Sequence, residues 1–330
     1  MTDRLAPGLL VLGGSAWLGH SVVLHALELG WTVTCLARGS TPLPHGARLV
    51  RADRDQPDAL AEVGGITWDA VLDLTRQPGH ARRAAQQLRA RHWVLVSSAS
   101  VYAHFDQPAQ GEESATLDPL TDDVMADMSA YGPAKVACEQ AVLDARESFT
   151  IVRAGLIGGA GDWSGRSGYY PWRFRHPTGA DVLVPPDLGF PTALIDVEDL
   201  AAWLVHCAAE RVPGVFNATG PTIALGEHLE VARTVAQSSA AIRPASAQAL
   251  WAAGVSDWMG PMSLPLWIDD PLWRYFATLD TSRARAEGLL VRPLADTLAA
   301  AVDYEESRGV PRQAGLTDDD ERRLRHLLES

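Results

Sequence analysis

The sequence lacks the features that identify several classes of protein. No apolar run in its 330 residues approaches the roughly 20 residues that a membrane-spanning helix needs. Its start, MTDRLAPG, has neither the basic region nor the apolar segment of a secretory signal peptide. Basic residues are outnumbered 41 to 28, for a formal net charge of −13, and nucleic-acid binding depends on a basic surface. We therefore expect no membrane partner and no nucleic-acid partner.

Cysteine is also scarce. Cys35, Cys138 and Cys207 are far apart in the chain, and no Cys-x-x-Cys pair is present. Isolated cysteines of this kind are typical of reduced, mostly buried thiols, so we expect a cytoplasmic protein without disulfides. The ten histidines form neither an H-x-x-x-H motif nor a mixed Cys/His spacing. We therefore expect no metal site.

Lysine is almost absent. All but one of the 28 basic residues are arginine, and the exception is Lys135 in YGPAK at 131–135. Tyr131 precedes it by four positions, which places both side chains on one face of a predicted helix. An ammonium near a phenol favours the phenolate and lowers the pKa of the phenol. The pair therefore predicts a general acid–base for an alcohol or carbonyl oxygen, the alternative being an exposed helix pair.

The first 155 residues alternate apolar strand-like runs with helical patterns. This alternation predicts a doubly wound α/β fold, with a parallel sheet covered by helices on both faces. After residue 155 the sequence becomes rich in glycine, proline and tryptophan. We predict a dinucleotide-binding domain over 1–155 and a smaller, mostly substrate-binding lobe over 156–330, with 190–220 returning to the sheet.

The element boundaries follow from the apolar periodicity. The predicted strands are 8–12, 32–37, 48–50, 70–74, 92–98 and 149–154. The predicted helices are 18–29, 57–63, 79–91, 129–147, 197–210, 294–307 and 317–328. Thr317 and Asp320 predict a capping box at the start of the last helix.

A glycine-rich turn joins the first predicted strand to the first predicted helix. Its spacing is Gly13-x-x-Ala16-x-x-Gly19, with Gly14 in addition. A strand, a glycine turn and a helix N-terminus together aim backbone N–H groups and the helix dipole at a phosphate. Ala16 takes the place of the middle glycine of the usual fingerprint. The turn by itself leaves phosphate binding and a structural tight turn as equal alternatives.

The second predicted strand is followed by Arg38 rather than by a carboxylate. A carboxylate there commonly binds the ribose 2′-hydroxyl of NAD, whereas an arginine suits a 2′-phosphate through a bidentate contact. We therefore expect NADP(H) in preference to NAD(H). The alternative for Arg38 is a solvated side chain at the strand end.

Hydroxyl side chains end the fifth predicted strand, in VSSASVYA at 96–103. Ligands gather at the carboxyl ends of parallel strands, and Ser98 is placed there to donate a hydrogen bond to a substrate carbonyl. The alternative is that the serines cap the following turn. In combination with Tyr131 and Lys135, the catalytic interpretation is favoured.

The chain resembles the short-chain dehydrogenase/reductase superfamily, in particular its extended branch of NAD(P)-dependent epimerases, dehydratases and reductases. The resemblance covers nearly the whole chain. It rests on the glycine turn, the segments at 96–103 and 131–135, VRAGLIGGAGD at 152–162 and IDVEDLA at 195–201.

The resemblance implies a Rossmann-type fold and a set of site residues. The implied catalytic residues are Ser98, Tyr131 and Lys135, and Asp53 in RADRD is implied to lie near the adenine. The residues expected to bind the cofactor are Gly13, Gly14, Ser15, Ala16, Trp17, Leu18, Gly19, Arg38, Asp53 and Lys135. The resemblance also implies a homodimer formed by helix pairing, which nothing in the sequence demonstrates.

One departure from the family bears on the substrate. Members that act on nucleotide-diphosphate sugars commonly carry an asparagine three residues after Arg153, where this chain has Leu156. A smaller or less charged substrate is therefore favoured. The candidate walls of its pocket, each with lobe packing as the alternative, are Trp163, Arg166, Tyr169, Tyr170, Trp172 and Arg173.

The sequence thus predicts an NAD(P)(H)-dependent oxidoreductase that reduces a carbonyl of a small molecule by hydride transfer, with Tyr131 as the general acid. One alternative is an epimerase or dehydratase of a nucleotide sugar that retains its NAD(P). A second alternative is a non-catalytic NADP(H)-binding regulatory protein, against which the presence of both Tyr131 and Lys135 argues.

Overall fold

A parallel sheet of seven strands forms the centre of the computed structural model, which describes residues 6–39 and 41–329. Its strands in chain order are β1 (Gly8–Leu12), β2 (Thr32–Ala37), β3 (Arg48–Arg51), β4 (Ala70–Asp73), β5 (Trp93–Ser98), β6 (Phe149–Ala154) and β7 (Gly214–Ala218). Residues 1–5, on which the signal-peptide expectation partly rests, lie outside the described residues.

The spatial order of the strands is β7-β6-β5-β4-β1-β2-β3, and every neighbouring pair is parallel. The predicted doubly wound, Rossmann-type fold is confirmed. The chain runs outward from β1 in one direction and from β4 in the other. The crevice between the carboxyl ends of these two strands is therefore the switch point at which such sheets bind ligands.

Helices cover both faces of the sheet and build the rest of the molecule. In chain order they are α1 (Trp17–Glu28), α2 (Ala61–Gly64), α3 (Pro78–Gln87), α4 (Tyr131–Ala145), α5 (Tyr169–Arg175), α6 (Val197–Glu210), α7 (Leu225–Val235), α8 (Ala247–Ala252), α9 (Ser282–Ala286), α10 (Leu294–Ser307) and α11 (Asp318–Glu329). Short 3₁₀ turns span Ala99–Val101, Met128–Ala130 and Pro271–Trp273. No helix of the described part is long and apolar enough to cross a membrane.

The two faces of the sheet carry separate apolar cores. On one face, α1 and α6 pack against each other and bury residues such as Val22 and Leu204. On the other, α3 and α4 bury residues such as Ala84 and Val142. Because β1 is covered on both sides, Leu9 to Leu12 are all fully buried, as expected of a continuous apolar strand in a parallel sheet.

Most of the chain after residue 155 builds a third apolar core, to which α5, α7, α10 and α11 contribute. The exceptions are α6 and β7, which lie on the sheet within the segment predicted to return to it. Short strand pairs brace the lobe; they join Asp181–Val184 to Ala241–Pro244, Pro191–Thr192 to Ile223–Ala224, and Ser256–Asp257 to Ser263–Leu264. A further pair joins Ile157–Gly158 to Ile195–Asp196.

The helix predicted at 57–63 is mostly wrong, because α2 spans only Ala61–Gly64. The preceding residues form successive turns, and Arg83 takes the carbonyl oxygens of Arg54 and Gln56. The Gln56 carbonyl would be the first acceptor of a regular helix that begins at residue 57. The predicted capping box is confirmed, since Asp320 N donates to Thr317 Oγ1 at 3.1 Å and Thr317 N donates to Asp320 Oδ2 at 3.3 Å.

Candidate active site

The glycine turn places a helix N-terminus at the crevice. Gly13 has φ of +103°, a conformation that favours glycine. A Cβ on Gly19 would lie 2.4 Å from Gly13 O, and one on Gly14 would lie 2.6 Å from Cys35 Sγ. Gly19 therefore allows the close approach of turn and helix, whereas Gly14 is required by packing against β2.

The start of α1 has free donors and no competing anion. Its first backbone bond within the helix runs from His20 N to Ala16 O, so the N–H groups of the preceding residues lack a partner in the helix. Ala16 has no side-chain oxygen to cap them, and the first turn holds no acidic residue. A dinucleotide diphosphate fits this cradle, the N-terminus of α1 with its free N–H groups, because it accepts hydrogen bonds and meets no competing negative charge.

Two of the predicted cofactor residues also have structural contacts. The side chain of Leu18 is buried in the core under the sheet, so only its backbone faces the crevice. Trp17 Nε1 donates to Ala160 O at 2.7 Å, and a Cβ on Gly161 would lie 2.8 Å from the same nitrogen. The glycine turn is thus tied to the loop after β6. Ser15 is half-buried beside the exposed Ala16.

Arg38 is exposed just beyond β2, at the carboxyl edge of the sheet. A second arginine, which the sequence reasoning missed, stands next to it: Arg51 Nη1 donates to Arg38 O at 3.0 Å. Gly39, with φ of +73°, leaves room for the Arg51 guanidinium. Asp53 is exposed nearby, and its Oδ1 accepts from Asp55 N at 3.1 Å.

Tyr131 and Lys135 occupy the first two turns of α4 at the same edge of the sheet. Lys135 is 3% exposed, and its Nζ donates to Thr75 O and to Val96 O, each at 2.6 Å. Because an ammonium has three donors, one N–H remains for another acceptor. Tyr131 is half-buried, so neither side chain points to bulk solvent.

Ser98 ends β5 with the hydrogen bonds of a turn cap. Its Oγ accepts from Ser100 N at 3.2 Å and donates to Ser100 Oγ at 3.2 Å. The capping alternative is therefore observed in the structure. The catalytic role of Ser98 stays a prediction, and it requires the hydroxyl proton to turn from Ser100 to a substrate.

A buried ionic network supports these elements from behind. Arg153 on β6 pairs with Glu139 on α4 at 2.7 Å, and Ser97 Oγ donates to the same carboxylate at 2.5 Å. Arg153 Nη1 also reaches Tyr102 Oη at 3.3 Å, and Tyr102 donates to Asn217 Oδ1 at 2.7 Å. The network joins α4 to three strands of the sheet.

The six candidate pocket walls divide sharply. Tyr169, Tyr170 and Arg173 are fully buried in the lobe, where Arg173 pairs with Asp318 and Glu321 of α11. Their interpretation as pocket walls was wrong, because they close the core between α5 and the last helix.

Of the other three candidates, Trp172 stacks on Arg312 and Trp163 is half exposed on the surface. Arg166 alone has contacts toward the site. Its guanidinium lies 4.8 Å from the ring centroid of Trp258, and it is close enough to the Tyr131 phenol for their charges to interact.

The three cysteines are buried and unpaired, which confirms the expectation of burial. Burial raises the pKa of the Cys35 and Cys207 thiols to about 12 and that of Cys138 to about 11. These thiols are therefore protonated near neutral pH and take no part in the chemistry of the crevice.

Comparison with known proteins adds to this geometry. Residues 82–219 match the model of the NAD dependent epimerase/dehydratase family. The match covers 138 of the 330 residues of the chain. The matched segment contains Ser98, Tyr131 and Lys135, whereas the glycine turn precedes it.

The chain is similar to the "2'-dehydrokanamycin reductase" of Streptomyces kanamyceticus, with 33% identity over 221 residues. The match covers 62% of this chain and 59% of the relative. The chain therefore aligns with about three fifths of the length of that reductase.

Solved structures share the fold. A putative epimerase from Burkholderia cenocepacia J2315 is 19% identical with a TM-score of 0.68, over 93% of this chain and 100% of that one. The Bordetella bronchiseptica enzyme WbmG, solved in complex with NAD, is 16% identical with a TM-score of 0.65, over 96% of this chain and 99% of that one. At these identities the likeness is one of fold.

Proposed function

We propose that the chain is a nicotinamide-dependent reductase of a small carbonyl compound, with NADP(H) as the preferred cofactor. The observation that carries the proposal is the placement of Tyr131 beside the anchored Lys135, at the carboxyl edge of a Rossmann-type sheet. Proton exchange with a substrate oxygen needs a titratable group at this edge, and the phenol provides it.

The cradle at the start of α1 would hold the diphosphate of the dinucleotide. Arg38, together with Arg51, whose guanidinium donates to the main-chain oxygen of Arg38 at the end of β2, would hold a 2′-phosphate. Lys135 has one N–H left for the nicotinamide ribose. A nicotinamide held at this edge would supply the hydride for the carbonyl carbon.

In this reaction Tyr131 donates the proton of its hydroxyl to the carbonyl oxygen, which becomes the alcohol oxygen. The cations of Lys135 and Arg166 stabilise the phenolate that remains. Ser98 stabilises the negative charge that develops on the same oxygen, provided that its proton turns away from Ser100. The phenolate recovers its proton from solvent after the alcohol leaves.

The reductase relative from Streptomyces kanamyceticus supports net reduction. The description of the family as epimerases and dehydratases supports a second candidate, in which the cofactor stays bound and is regenerated in each turnover. The two candidates differ in whether reduced cofactor is consumed in proportion to product.

A panel of carbonyl compounds and nucleotide sugars, followed at the nicotinamide absorbance with NADPH and with NADH, tests the proposal. We expect consumption of NADPH with a carbonyl compound. Tyr131→Phe should lower kcat by at least about 10²-fold, because it removes the general acid. Tyr304→Phe on α10 is the matched control and should keep full activity. Product formation without NADPH consumption would favour the second candidate, and an active Tyr131→Phe enzyme would contradict the role of Tyr131.

A further inference from the structure

A cavity with aromatic walls opens in the lobe, within the segment 258–276. Its volume is about 300 Å³, at the lower end of the range for small-molecule sites. The described residues that line it are Trp258, Ile268, Asp270, Trp273 and Phe276. A volume of this size suits one ring with its substituents.

The aromatic rings of the cavity meet at steep angles. Trp258 and Phe276 are nearly perpendicular, at 88° with centroids 5.4 Å apart, and Trp273 and Phe276 are inclined by 50° at 5.7 Å. Phe105 holds Trp273 in place by stacking on it at 5.0 Å. Three aromatic side chains, Trp258, Trp273 and Phe276, therefore line one space, and aromatic faces attract organic cations.

Arg166 connects this cavity to the proposed reaction centre. Its guanidinium lies over the Trp258 ring at 4.8 Å and interacts with Tyr131. Arg166 therefore links a lining residue of the cavity to the surroundings of Tyr131. The contact of Arg166 with Trp258 also shows that an aromatic face of this cavity accepts a positive charge.

The lining of the cavity is negative, whereas Arg166, next to the lining, lies over the Trp258 ring. Asp270 is its one charged lining residue among those described, and Asp257 and Asp269 flank it, with Asp269 N donating to Asp257 Oδ2 at 2.8 Å. No arginine, lysine or histidine in the described part of the chain forms an ion pair with any of the three. Asp270 Oδ1 accepts from Leu272 N at 2.9 Å, which leaves Oδ2 for a ligand.

We propose that this cavity binds a protonated amino group of the carbonyl substrate, which lies against Trp273 and Phe276 with its ammonium paired to Asp270. The inference rests on the proposed function, because it assigns the substrate of the same site. It makes the substrate an amine-bearing carbonyl compound, with the carbonyl at Tyr131 and the amine in the lobe.

A diphosphate does not suit this cavity, because a phosphate would face the carboxylate of Asp270 without a cation in the lining. Leu156, at the position where nucleotide-sugar enzymes carry an asparagine, packs against the apolar core of the lobe. A neutral ring would gain from the aromatic walls but would leave the carboxylate without a partner. The negative charge of Asp270 therefore favours a protonated amine over a phosphate or a neutral ring.

Binding of two matched probes, without cofactor or turnover, tests the inference. Cyclohexylammonium and cyclohexanol have the same ring and differ in charge, and calorimetry measures the Kd of each with the full-length protein. We expect the ammonium to bind more tightly than the alcohol by about fivefold, the size of one exposed ion pair. Equal affinity for the two probes would overturn the inference.

Two pairs of variants locate the binding. Asp270→Asn keeps the cap to Leu272 N through its amide oxygen but removes the charge, and it should abolish the preference for the ammonium. Its control is Asp269→Asn, because Asp269 lies outside the lining and bonds Trp251 Nε1 at 2.9 Å. Trp273→Leu should weaken binding of both probes, with Trp251→Leu as its control. Equal effects of Asp270→Asn and Asp269→Asn would mean attraction to the acidic surface in general and would overturn the assignment.

The outcome separates this inference from the proposed function. If the probes bind as expected and no carbonyl compound is reduced, the amine site stands and the reductase proposal fails. If NADPH is consumed equally well with amino ketones and with their hydroxyl analogues, the reductase proposal stands and the amine site fails. In the supporting case, Asp270→Asn raises KM for the amino ketone and leaves kcat unchanged.

Discussion

Arg51 lies on the third strand, yet its guanidinium contacts the residue that follows the second strand. The sequence offers Arg38 as a candidate phosphate ligand because it stands where a carboxylate is usual. Nothing in the sequence marks Arg51, since its position beside Arg38 depends on the parallel register that pairs Ala37 with Arg51. A search for short motifs cannot find a residue such as Arg51, because strand pairing brings it next to Arg38 from a distant part of the sequence.

Arg51→Ala should raise KM for NADPH by about tenfold and leave KM for NADH unchanged, because it removes one charged contact to the 2′-phosphate. Steady-state kinetics with both cofactors measure this difference. Arg48→Ala is the control on the same strand, since the Arg48 guanidinium pairs with Glu62 at 2.5 Å. An equal loss with both cofactors, or a wild-type enzyme that prefers NADH, would contradict the assignment.

Between elements, α4 carries Tyr131 and Lys135 and is fixed to the sheet by Glu139. This carboxylate and Arg153 are both almost completely buried. A buried charge left without its partner is strongly unfavourable. The position of the proposed general acid therefore depends on an ion pair more than one helical turn away from it.

Glu139→Gln should lower the free energy of unfolding by about 3 kcal/mol, since the Arg153 charge stays buried without a counter-ion. Glu62→Gln breaks the exposed pair with Arg48 and should cost less than about 1 kcal/mol. Urea unfolding followed by circular dichroism compares the two variants. Similar losses for both would mean that the buried pair contributes no more than a surface pair.

For the molecule as a whole, two buried histidines predict the pH dependence of stability. His92 lies between Ser148 and Thr150 in the sheet domain, and His228 is buried in the lobe. Burial lowers the pKa of each to about 4 from an ordinary 6.5. Between these values the unfolded chain binds more protons, so stability is complete above pH 6.5 and falls as the pH drops toward 4.

His228→Leu should flatten this dependence, because each histidine contributes a slope of up to about 1.4 kcal/mol per pH unit in that window. Urea unfolding at several pH values from 4.5 to about 8 gives the slope for the wild type and the variant. The exposed His45 is the control, and His45→Gln should keep the wild-type slope. A His228→Leu slope equal to that of the wild type would show that His228 does not carry the effect.

Predictability also changes with scale. Six of the seven strands of the sheet were predicted from local signals, because most of them are apolar runs bounded by polar turns, and β1, β2 and β6 have the predicted limits. The strand β7 was not predicted; it lies within the segment that was expected to return to the sheet. The glycine turn and the YGPAK segment were also found from local signals. The aromatic cavity was not, since its lining comes from separate loop residues that a tertiary fold brings together. The walls assigned to Tyr169, Tyr170 and Arg173 failed because aromatic and arginine side chains fill lobe cores as readily as they line pockets.

The anchoring of Lys135 has a practical consequence for handling the protein. Reagents that acylate primary amines meet no other lysine in the sequence, and this one is shielded behind two main-chain carbonyl oxygens. Amine coupling of the folded protein to a solid support therefore leaves its single lysine side chain, Lys135, unmodified.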